Sequence, residues 1–102
     1  MNHPFDFGEG EVTYCSWEID EFIPLCRQLW ELRQDLIQVE YKNRNLIIDV
    51  GWYPDFNPEG QFVIQVIKNQ DWEQPVLRRE AFSVEESKVC VAELVEKIAN
   101  DT

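Results

Sequence analysis

The sequence predicts an α+β domain: an antiparallel four-stranded sheet flanked by an N-terminal and a C-terminal helix, in the order helix, four strands, helix. Three observations predict it. Apolar residues recur at helical spacing near both ends of the chain, and between those stretches the apolar pattern alternates with period two. The alternating runs are separated by short segments of turn residues, so successive strands are read as hairpins in an antiparallel meander. At 102 residues, with 44% hydrophobic and 13% aromatic side chains, the chain suits one domain over residues 1–102 with one core.

Residues 1–10 hold Pro4, Gly8 and Gly10 and are read as a loose N-terminal tail. Val12, Tyr14 and Trp17 then suggest a short edge strand outside the four. The first helix is expected to begin near Asp20 or Ile23, with Pro24 tolerated in its first turn. Phe22, Leu25, Cys26, Leu29, Leu32 and Leu36 form its apolar stripe, and Trp30 falls at the stripe's edge, where it is expected to cover the core.

From Ile37 the period changes. Ile37, Val39 and Tyr41 alternate with Gln38 and Glu40, and Lys42-Asn43-Arg44-Asn45 is turn chemistry. Further strands are expected over Leu46 to Tyr53, Gln61 to Lys68 and Val76 to Phe82. Ser83 followed by Glu86 is a capping box, and Val91, Leu94, Val95 and Ile98 give the apolar stripe of the closing helix. With both helices on one face of the sheet, the other face meets water or a partner. Ile47, Asp49, Gly51 and Tyr53 are expected there with Gln38, Glu40, Gln65 and Arg79.

Charge is the most informative bulk property. Twenty acids against nine bases give a formal net charge of -11. Such a chain repels nucleic acid and anionic membranes, which are bound through Lys and Arg, and attracts basic partners. No run of apolar residues is long enough to span a bilayer, and the N-terminal residues do not have the pattern of a signal peptide. Three cysteines at irregular spacing suit a reducing cytoplasm better than a disulfide framework.

Catalytic chemistry has few candidates. The lone histidine, His3, lies in the expected tail, and the four glycines form no phosphate loop. Asp55-Phe56-Asn57-Pro58-Glu59-Gly60 opens like a calcium loop, but the twelfth position is Val66, where a glutamate is required. It is read as a turn, and neither a metal nor a cofactor is expected. The same residues form an acidic and aromatic surface. Asp49, Trp52, Tyr53, Asp55 and Glu59 make one cluster, and Asp71, Trp72 and Glu73 make a second. The two loops are read as alternate turns of the meander, sharing one end of the sheet. Tyr and Trp anchor protein interfaces, and acids beside them suit Arg or Lys of a partner. The acids of the first helix and its flanks, Glu18, Glu21, Glu31 and Asp35, are the rival surface.

Asp49-Val50-Gly51-Trp52-Tyr53-Pro54, then Asn57-Pro58-Glu59-Gly60-Gln61-Phe62, then Trp72-Glu73-Gln74-Pro75 resemble small bacterial immunity proteins of polymorphic toxin and contact-dependent growth inhibition systems. The likeness covers about residues 46–100. It implies a cytosolic protein that neutralises a basic toxin domain, such as a nuclease, with carboxylates taking the place of substrate phosphates. The alternative is a non-catalytic adaptor or subunit of a larger complex, whose acidity serves solubility alone.

Overall fold

A computed structural model describes residues 3–100. Five strands form a single sheet in the order β1 (Glu11–Cys15), β2 (Ile37–Tyr41), β3 (Leu46–Tyr53), β4 (Gln61–Lys68) and β5 (Leu77–Ala81), every neighbouring pair antiparallel. One helix, α1 (Val84–Asn100), follows β5 and packs against β4 and β5. The expected four strands between two helices are therefore corrected to five strands and one C-terminal helix.

The strands expected from alternation form because their register brings like residues together. Ile37, Val50 and Ile64 lie side by side across β2, β3 and β4, as do Val39, Ile48 and Val66; Trp52, Phe62 and Ala81 follow across β3, β4 and β5. All nine are buried in one hydrophobic cluster. Against it α1 places Val84, Val91, Leu94 and Ile98. The helix begins as its sequence dictates: Ser83 Oγ accepts from the Glu86 N–H at 3.0 Å, while Glu86 Oε1 accepts from the Phe82 N–H at 3.3 Å.

The N-terminal helix does not form. Its segment holds two single 3₁₀ turns, Leu25–Arg27 and Leu29–Glu31, separated by Gln28 at φ -137° and ψ 44°. Two competitors displace the helix. The Gln28 side chain accepts from the Asp20 N–H at 2.9 Å and donates to the Asp20 and Ile23 carbonyls at 2.8 Å, tying off a loop. Farther on, the Leu32 and Arg33 carbonyls, which a helix would use internally, accept from the Phe56 and Trp52 N–H groups, both at 2.8 Å. Leu32 and Leu36 still reach the core, but Phe22 and Cys26 of the expected stripe are exposed.

The place of the missing helix is taken by aromatic residues. Phe5 meets Trp17 edge-on at 5.1 Å, Trp17 stacks on Phe62 at 5.8 Å, and Phe62 meets Trp52 edge-on at 4.9 Å. Residues 3–10, expected as loose tail, are thus anchored through buried Phe5 and Phe7, whose carbonyl accepts from the Tyr41 hydroxyl; residues 1 and 2 lie outside the described part. Trp17 lies beyond β1, in this cluster rather than in the edge strand. The register also corrects one residue of the second sheet face. Arg78 pairs opposite Gln65 on that face, whereas Arg79 lies opposite Ile64 on the core side.

Candidate binding site

The segment that fails to become a helix builds the site. Bonded to the end of β3 through the Leu32 and Arg33 carbonyls, it presents Trp30 outward, 76% exposed. Gly51 allows the close approach: a Cβ there would collide with the Gln34 backbone carbonyl. The loop 54–60 meets this segment from the other side. It begins at a cis Tyr53–Pro54 peptide and is tied by the Asn57 side chain, which accepts from the Glu59 N–H at 2.8 Å. The Asn57 carbonyl accepts from Trp52 Nε1 at 2.8 Å.

Phe56 sits in this loop at φ +58°. That region is unfavourable for a bulky side chain by about 1–2 kcal/mol. The strained backbone places the Phe56 ring 5.5 Å from Trp30, and both are exposed. Asp55 and Glu59, also exposed, belong to the same loop. Glu31, next to Trp30, has a buried Oε2 without a hydrogen-bond partner, and its Oε1 lies 3.9 Å from Arg33.

The polar sheet face adjoins this aromatic rim through Tyr53. Asp49 lies there between Gln38 of β2 and Gln65 of β4, only 5% exposed. Its Oδ1 has no hydrogen-bond partner. Burial, seconded by the charge of Asp35, pushes its carboxyl up to about 6, against a hydrogen bond from Gln38 that favours the ionised form. Burial and then the charge of Asp49 raise the Tyr53 phenol as well, opposed by a hydrogen bond with Gln34. Asp35, Asp49 and Tyr53 are thus within electrostatic reach of one another, and the site holds more negative charge than its own bonds satisfy.

The structure puts Asp49 and Tyr53 within electrostatic reach of one another and Asp55 and Glu59 in the loop that follows Tyr53, and it separates the rest. Trp52 is in the core, 2% exposed. Asp71, Trp72 and Glu73 are exposed in the loop between β4 and β5, which is the next connection after 54–60 and not the next but one. Consecutive hairpin loops lie at opposite ends of a sheet, here roughly 24 Å apart along the eight residues of β4. The expectation that both loops share one end is corrected accordingly. Of the rival acids, Glu31 and Asp35 join the site, Glu21 pairs with Lys88 at 3.3 Å, and Glu18 stands exposed.

Sequence reasoning missed Trp30 and Phe22 as surface groups. The one signal was the place of Trp30 at the edge of the apolar stripe, not at its centre. Among the described residues no group of three or more His, Cys, Asp or Glu could hold a metal ion. In comparisons with family models, curated proteins and solved structures, no match to this chain is found.

Proposed function

We propose that this protein is a non-catalytic binding protein that caps a basic protein partner, as an immunity protein caps its toxin. The observation that carries the reading is the exposed Trp30–Phe56 pair, with the exposed Asp55 and Glu59 in the loop that carries Phe56 and Glu31 next to Trp30. An aromatic pair in contact with solvent buries large area on docking, and the acids around it match Arg and Lys.

The net charge of -11 supports the same reading, because it steers a basic partner toward the protein before contact. A toxin domain that holds phosphate with basic groups, such as a nuclease, is the partner class favoured by the resemblance of residues 46–100 to immunity proteins. The lone histidine has a structural role: His3 Nδ1 accepts from the Phe5 N–H at 3.2 Å, and its ring lies 5.3 Å from Phe7. No helix among the described residues is long and apolar enough to cross a membrane. Three free thiols, one of them the exposed Cys26, suit work in a reducing cytoplasm.

The test is association with the partner's toxin domain at rising ionic strength. Affinity falls steeply with salt, and Trp30→Ala costs about 2 kcal/mol or more of binding. A salt-insensitive association that tolerates Trp30→Ala refutes this reading in favour of an adaptor.

A further inference from the structure

The opposite end of the sheet has the reverse character. A cavity of about 730 Å³ lies between the β2–β3 turn, the β4–β5 loop and the last turns of α1. Its wall includes apolar Leu46, Val66, Leu77 and Ile98, and around them stand Lys42, Arg44, Lys68 and Lys97. Four of the chain's nine bases thus meet in one place, where among the described residues the one lining acid is Glu9. In a chain with twice as many acids as bases, dispersed charges would leave this concavity acidic.

The cations differ in how far they are engaged. Lys42 lies 3.4 Å from Glu11. Lys68 and Lys97 have no carboxylate within ion-pair distance among the described residues. Glu93 and Glu96 border Lys97 in the adjoining concavity and oppose an anion there. Lys68, away from both, carries the stronger claim to a bound charge. The Tyr41 hydroxyl is already spent on the Phe7 carbonyl and offers a ligand no proton.

We propose that this groove binds a small amphipathic anion, its apolar body against Leu46, Val76 and Leu77 over the buried Val66 and Ile98, and its acidic head between Lys68 and Lys97. The volume is in the range of small-molecule sites, and an apolar floor with a few convergent charges is the usual makeup of such sites. A purely ionic ligand would leave the floor wet, and a neutral one would leave the clustered cations repelling each other. This site lies at the other end of β3 from Trp30 and Phe56, so it stands or falls apart from the partner reading.

The experiment is a titration of the full ¹⁵N-labelled chain with octyl sulfate below its micelle concentration, with octanol as the neutral match. Octyl sulfate binds saturably and shifts the amides of Lys68, Val76, Leu77 and Lys97. Octanol binds about tenfold more weakly or worse, and Lys68→Glu with Lys97→Glu costs octyl sulfate about tenfold. Glu9→Gln tightens it a few-fold. Should the double variant melt early, Lys68→Gln alone gives the same direction at smaller size. Shifts scattered over the surface, equal affinity for octanol, or indifference to the lysine changes overturns the proposal.

Discussion

Asp49→Asn is expected to stabilise the free protein at neutral pH. The carboxyl is raised from 3.8 to about 6 by burial first and the charge of Asp35 second. A difference of about two units corresponds to roughly 3 kcal/mol against the ionised folded state. The sign follows from linkage. The folded form holds its proton more tightly than the unfolded chain, so below about pH 4 this group imposes no penalty. The penalty grows between about pH 4 and 6 and stands in full above that. Asparagine keeps the shape and the acceptor for Gln38 but adds an N–H₂ that needs a partner, which lowers the expected gain to about 1–3 kcal/mol. For a chain of this length that is a rise in Tm on the order of 10 °C. Urea unfolding followed by tryptophan fluorescence, at several pH values from 4 to 7.5, measures it. The variant's advantage is largest at pH 7.5 and vanishes near pH 4. An equal or lower stability at pH 7.5, or a gain that does not shrink on acidification, refutes the reasoning.

Phe56→Gly relieves the left-handed strain and loses only a half-exposed contact, so urea unfolding should place it within about 1 kcal/mol of wild type, where buried aromatic truncations cost about 3–5. Gly51→Ala forces a methyl into the Gln34 carbonyl and should lower Tm by roughly 10 °C or more, read by circular dichroism. Ser83→Ala removes the cap of α1 and should cost about 1 kcal/mol in the same melt. Trp30→Ala, by contrast, should change stability by no more than about 0.5 kcal/mol while reducing partner binding, since its ring is 76% exposed.

The sheet from Ile37 to Ala81 was legible because its signal is local: alternation sets the face, and short turns set the pairing. The closing helix was legible for the same reason, with its cap and its stripe within one segment. Residues 20–36 carried an equally good local signal that lost to distant bonds. Leu32 and Arg33 give their carbonyls to Phe56 and Trp52, residues about twenty positions away, which periodicity cannot register. Phe5 and Phe7 were hidden by the neighbouring Pro4, Gly8 and Gly10, which read as tail although two rings suffice to anchor the segment.

Within the site, alternation placed Asp49 and Tyr53 on the polar face correctly, with Trp52 on the opposite one. It could not tell that Asp49 is buried, because burial there depends on how the flanking side chains close over it. The union of Trp30 with Phe56 needs both the failed helix and a left-handed Phe56, and neither is written in spacing.

On the proposed function, Trp30, Phe56 and the acids beside them form the surface that holds a basic partner. Parallel affinity capture from cells of the natural source, with wild type and with Trp30→Ala/Phe56→Ala at matched stability, tests it most directly. Wild type is expected to retain one basic protein in stoichiometric amount, released by high salt, and the double variant none of it. Equal recovery by both baits, or a neutral or acidic partner that salt does not release, contradicts it.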